Sequence, residues 1–122
     1  MCLGSELKFA YNAAPRLNKE GIPTRVVSMP CLILVEKQPE DYRNAVLSTT
    51  QHIFSVEAYV STIWTLVCTA SISMDSFGYS GSGPANFARF GLDSDGIVRK
   101  VRDYTSTPTV AETPARRWVR LE

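Results

Sequence analysis

Histidine is almost missing from this 122-residue chain, where His52 stands alone. A zinc site, or a nucleophile system that needs an imidazole base, would have to rest on that one residue, which argues against both. Charge of one sign is lacking too. The 13 Lys and Arg nearly balance the 12 Asp and Glu, and a net charge of +1 gives no field to gather nucleic acid or an anionic membrane surface. The cysteines Cys2, Cys31 and Cys68 are odd in number and form no CxxC, a pattern expected of reduced thiols in an intracellular compartment. Long hydrophobic runs are absent as well. The longest uncharged segment, 58–74, is broken by Ser61, Thr62, Thr65, Thr69, Ser71 and Ser73 and is short for a bilayer span. The first residues reach Glu6 before any apolar stretch develops, so no secretory signal is expected.

What is present fits one globular domain, with 44% hydrophobic and 20% charged residues. Leu7, Ala10, Tyr11, Ala14 and Leu17 recur at helical spacing, with Ser5 as expected cap, Gly21 as stop, and Pro15 expected to kink or loosen the last turn. The β-branched run 24–29, closed by Pro30, predicts a strand. Pro39, Glu40 and Asp41 mark a helix start. A second strand is expected over 52–56, a helix over 58–70 and a third strand over 72–74. A glycine-rich turn follows at 77–83, then a helix opened by Pro84 and ended by Gly91. Asp93 or Ser94 caps a last helix carrying Ile97, Val98 and Val101 on one side. From residue 105 onward Ser, Thr, Pro and Arg occur without periodicity, which predicts a domain over 1–104 and a disordered tail over 105–122. Strands alternating with helices imply a mostly parallel sheet covered on both faces, an α/β fold of three layers, α/β/α.

Few residues offer chemistry. Gly81-Ser82-Gly83 lacks the third glycine of a dinucleotide loop, because Asn86 stands in its place, and reads as a structural turn. Asp93-Ser94-Asp95-Gly96 fails as a calcium loop, since Gly91 and Arg102 would fall at the first and last ligand positions. No GxSxG elbow accompanies His52. Glu57, at the end of a strand, and Ser5, at a strand-to-helix junction, fall where an open parallel sheet binds ligands, and Phe77 and Gly78 should join them there. The candidate ligand site is therefore Ser5, Glu57, Phe77 and Gly78, able to take a small anion or nucleotide. No catalytic residue and no metal ligand set is assigned.

Several phrases in order resemble the C-terminal domain of the transketolase family, which includes dihydroxyacetone synthase. They are Gly4-Ser5-Glu6, Arg25-Val26-Val27-Ser28-Met29-Pro30, Lys37-Gln38-Pro39-Glu40-Asp41-Tyr42-Arg43, Val46-Leu47, Ser55-Val56-Glu57-Ala58, Trp64, Asp75-Ser76-Phe77-Gly78 and Phe90-Gly91-Leu92. The resemblance implies a Rossmann-like domain, its sheet mostly parallel with one antiparallel strand. It also implies a parent enzyme that moves a two-carbon ketol unit with thiamine diphosphate and a divalent metal, as in the pentose phosphate pathway. In that family the cofactor groups lie in two upstream domains. This chain is therefore expected to be a scaffold, assembly or regulatory domain without cofactor or activity of its own. Its implied partners are those upstream catalytic domains within a homodimer, and neither nucleic acid nor membrane. A cytoplasmic location is implied, or a peroxisomal one for a dihydroxyacetone synthase, although Arg120-Leu121-Glu122 does not fit a targeting tripeptide. Family members enter Gly-Ser-Glu from a full apolar strand, whereas Met1, Cys2 and Leu3 precede it here. The sheet is accordingly expected to be incomplete at the N-terminus.

Overall fold

Alternation along one short strand decides the layering. In the computed structural model, which describes residues 1–2, 4–47, 52–65, 67–107 and 119–121, strand β1 spans Phe54–Val56. Successive strand side chains point to opposite faces. Phe54 and Val56 join one core with Cys2, Leu17, Ile97 and Val98, while Ile53 packs against the other with Met29, Trp64 and Cys68. Helix α1 (Leu7–Lys19) and helix α5 (Ser94–Thr105) cover the first face. Helices α2 (Leu32–Glu36) and α3 (Glu40–Leu47) lie over the second, with a 3-10 turn at Ser61–Trp64. Helix α4 (Gly83–Phe90) leads into α5. The three-layer α/β/α arrangement expected from the sequence is the one found.

Strand β2 (Ala70–Ile72) lies between β1 and β3 (Val119–Leu121), parallel to both. On the other side of β1, Cys2 bridges Val56 and Ser28 in parallel. The Cys2 amide donates to the Val27 carbonyl at 3.2 Å, and the Met29 amide to the Cys2 carbonyl at 3.0 Å. The Val56 amide donates to the Met1 carbonyl at 2.8 Å, and the Met1 nitrogen to the Phe54 carbonyl. Met1 and Cys2 thus occupy the position between the segment holding Ser28 and β1. Every pairing among the described residues is parallel.

Local signals placed several elements correctly. Helix α3 begins at the acidic pair Glu40 and Asp41. The Arg25 guanidinium caps its far end, donating to the Val46 carbonyl at 2.6 Å. Asp93 caps α5 by accepting from the Gly96 amide at 2.9 Å, and Gly91 ends α4 in the left-handed region at φ 64°. Helix α1 runs through Pro15 to Lys19 instead of ending early. Pro15 and Tyr11 lie on its exposed side, where water can take the carbonyl that proline leaves without a donor.

Other expectations need correction. The strand expected over 24–29 reduces to a bridge at Ser28. The helix expected over 58–70 is replaced by the short 3-10 turn and a connection into β2, which starts at Ala70 and not at Ile72. The cause lies at both ends of the segment. The Asp75 carboxylate accepts from the Ser61 amide and the Ser61 hydroxyl, each at 2.9 Å, and so fixes where the turn starts. At the other end the Thr69 hydroxyl accepts from the Ile53 amide at 2.8 Å and donates to the Ile53 carbonyl at 3.0 Å, holding Thr69 to the strand. The tail expected to be disordered over 105–122 contains the last residue of α5 and all of β3. The rest of that expectation, residues 108–118 and 122, lies outside the described residues.

The corner between α4 and α5 is tight. A Cβ added to Gly96 would overlap the Gly91 backbone, 2.6 Å from its carbonyl carbon and oxygen. One added to Gly91 would meet chiefly the flexible end of Lys100 but sits at positive φ. Gly96→Ala is expected to cost about 1–3 kcal/mol by overpacking, and Gly91→Ala about 1 kcal/mol by backbone strain. Urea unfolding of both variants checks this, and wild-type stability of Gly96→Ala would refute the close apposition.

Candidate functional site

The carboxyl edge of the sheet is built from three junctions. The first follows Cys2. The Ser5 hydroxyl was expected to cap α1, but Glu6 occupies the cap position, and Ser5 donates to Glu6 Oε1 at 2.6 Å. Glu6 is buried to 1% exposure. A carboxylate held inside the start of a helix sits near that helix's positive end. Sequence reasoning singled out Ser5 and passed over Glu6, because nothing local shows that a glutamate is buried.

The second junction follows β1. The Glu57 amide donates to the Ile72 carbonyl at 3.0 Å, continuing the ladder beyond the strand. Its carboxylate lies close enough to Cys2 to push the thiol pKa up, as does Glu6, with burial the larger cause. Cys2 bridges Val56 in parallel, so the residues that follow them, Ser5 and Glu6 on one segment and Glu57 on the other, leave the sheet at the same edge.

The third junction follows β2 and departs from expectation. Phe77 is 97% exposed, and a Cβ added to Gly78 would meet nothing within 4 Å. The structure thus places Ser5 and Glu57 at one edge of the sheet and leaves Phe77 and Gly78 on an open loop. That loop is tied down on its far side, where the Tyr79 ring lies 3.8 Å from the Arg89 guanidinium and 5.7 Å from the Phe90 ring. Its near side is held by Asp75, through Ser61 and through the Ser73 hydroxyl at 3.4 Å.

Two concave spaces lie among the described residues. A cavity of 410 Å³ sits beside the amino end of β1, lined by residues such as Leu17, Ile22, Val26, Ile53, Phe54 and Val101. A shallower groove of 640 Å³ runs along the start of α1 past Gly4, Ser5, Lys8, Tyr11 and Ser28. Of the expected site residues, only Ser5 lines either one. His52 packs its ring edge-on against Tyr104, and burial lowers its pKa.

The other motifs have structural roles. Ser82 caps α4 by accepting from the Ala85 amide at 3.4 Å, and the Asn86 amide group donates to the Tyr79 carbonyl at 2.8 Å. Among the described residues no group of three or more His, Cys, Asp or Glu is placed to hold a metal ion. Two carboxylates at this edge already have partners, since Glu6 takes the Ser5 hydroxyl and both Asp75 oxygens take Ser61. No helix among the described residues is long and apolar enough to cross a membrane.

Comparison with known proteins places this geometry. The family model of the transketolase-like TK C-terminal domain matches residues 1–93. Transketolase 1 of Saccharomyces cerevisiae is 36% identical over 99 residues, which are 81% of this chain and 15% of the yeast protein. The transketolase of Aquifex aeolicus is 37% identical over 103 residues, 80% of this chain and 15% of that protein. Among solved structures, transketolase from Leishmania mexicana superposes with a TM-score of 0.77 at 40% identity, covering 84% of this chain and 15% of that one. Transketolase from Campylobacter jejuni gives 0.77 at 33% identity, covering 84% and 16%. The chain thus spans 15% to 16% of the length of these relatives.

The thiols separate by burial. Cys2 and Cys68 are buried and Cys31 is half-buried. Burial pushes the Cys68 thiol up to about 11, from an ordinary value of 9.0, and also raises Cys2. Only the thiolate attacks a disulfide reagent, and two pH units mean about a hundredfold less thiolate at Cys68. With Ellman's reagent at pH 8, Cys31 is expected to react first and the other two only as denaturant opens the fold. Equal rates for all three in the native protein would contradict this burial.

Proposed function

The chain belongs to the transketolase-like TK C-terminal domain family, and from that premise we propose that it is a non-catalytic assembly domain of a thiamine diphosphate-dependent ketol transferase. One observation carries the reading: the family match runs over residues 1–93, yet the chain covers 15% of relatives such as yeast transketolase 1. A domain that size within so long a polypeptide has most of the enzyme to pack against. The carboxyl edge supports the same view. Ser5 is bonded to Glu6 and Ser61 to Asp75, pairs that fix the loops of this edge. A buried Glu6 at the start of α1 also weighs against holding a phosphate there.

On this reading the ketol transfer, the thiamine diphosphate and its divalent metal belong to partner domains that precede this one in a transketolase or a dihydroxyacetone synthase. This chain supplies a folded surface and no reacting group. Calorimetric titration of the purified 122-residue chain with thiamine diphosphate and magnesium is expected to give no saturable heat, and a ketol-transfer assay no turnover above a heat-killed control. Stoichiometric cofactor binding, or turnover, would overturn the proposal.

A further inference from the structure

The largest departure from expectation at the carboxyl edge is a surface. Tyr59, Val60 and Ile63 are 59%, 40% and 43% exposed, and Phe77 and Tyr79 are 97% and 50% exposed. They belong to two segments that are clasped together. The Met74 amide donates to the Tyr59 carbonyl at 3.1 Å, and Ser61 is bonded to Asp75, which brings the Phe77 loop beside the Tyr59–Ile63 stretch. Charge is sparse in the stretch of sequence that forms this edge. Between Glu57 and Arg89 the sequence holds a single charged residue, Asp75, whose carboxylate accepts from Ser61. Exposed aromatics together with depleted charge distinguish the core of a protein interface from ordinary surface.

We propose that this charge-poor aromatic edge is the surface on which the domain docks against the catalytic body of a transketolase, with Phe77 as the anchor that enters the partner. The proposal rests on the assembly reading above and assigns it a face. The occupant follows from size, since the relatives carry more than four-fifths of their length outside the matched region, whether that body is joined to this chain or supplied in trans. The loop suits an anchor. Phe77 is free of its own domain while Tyr79 is fixed on Arg89 and Phe90, so ordering Phe77 on binding costs little loop entropy. The competing face is the outer side of α2 and α3, where Ile33, Leu34 and Tyr42 are 62%, 59% and 52% exposed. Glu36, Lys37, Glu40, Asp41 and Arg43 surround them with charge, as on a solvated surface.

The test grafts the full 122-residue chain in place of the matching segment of yeast transketolase 1 and compares amide exchange with that of the isolated chain. Exchange across 57–64 and 76–82 is expected to slow about tenfold or more in the graft, and Phe77→Asp to reverse much of that protection without altering the isolated chain. Protection confined to 32–47 would overturn this surface while leaving the assembly reading intact. No protection at any surface of a folded graft, or a graft that fails to fold where the yeast parent folds, would overturn both. Self-association of the isolated chain that Phe77→Asp abolishes would give the surface to a second copy, and the proposed occupant would be wrong.

Discussion

The main-chain hydrogen bonds of Met1 and Cys2 hold the sheet together across its middle. On one side they bind Val27 and Met29, on the other Phe54 and Val56. Without them the segment that carries Ser28 would have no pairing to β1, and each interrupted bond would leave a buried donor or acceptor unsatisfied, at about 1–3 kcal/mol apiece. The two cores meet at this same place. Cys2 belongs to the core under α1 and α5, while Met1 packs against Met29, Trp64 and Cys68 on the opposite face. Two residues thus link both layers and both halves of the sheet.

Polar groups inside this frame fix the register. Ser55 and Ser71 are fully buried on neighbouring strands with their hydroxyl oxygens 2.7 Å apart, opposite each other in the β1–β2 ladder. A one-residue slip would separate them and would also exchange the faces of Phe54 and Val56. The same economy governs the loops. Asp75 clasps Ser61, and Thr69 clasps Ile53, so the chain between β1 and β2 is held at both ends by side chains in place of a helix. The helices across the first face are joined by Arg16 to Asp95 at 2.5 Å and by Arg102 to Glu20 at 2.7 Å. These pairs are exposed, so the apolar contact of Leu17 with Ile97, Val98 and Val101 contributes more to that packing.

What was legible in the sequence follows the range of the deciding interaction. The starts of α3, α4 and α5 are set by residues within one turn of themselves and could be read directly from Glu40, Pro84 and Asp93, although Ser82, read as a turn residue, is the cap of α4. The helix expected over 58–70 failed because Asp75 and Ile53 decide that stretch, and both lie outside it. Strand β3 was hidden because pairing with Ala70–Ile72 places Val119–Leu121, while the composition around it suggests a tail. At the candidate site, topology brought Ser5 and Glu57 to one edge as the alternation of strands and helices implied. Whether anything covers Phe77, or whether Glu6 points inward, depends on packing that no local pattern records.

The corner where α4 meets α5 acts as a filter on how this sequence can drift. Every other amino acid brings a Cβ to position 96, where the Gly91 backbone already stands, and Gly91 itself holds a conformation that side chains resist. Lineages descending from such a chain can vary the exposed stations of α5, including Arg99 and Asp103, at less cost than this pair. An inherited change at one glycine cannot be offset by shrinking the other, because neither has anything left to lose. Divergence in this part of the fold therefore proceeds around the corner and not through it.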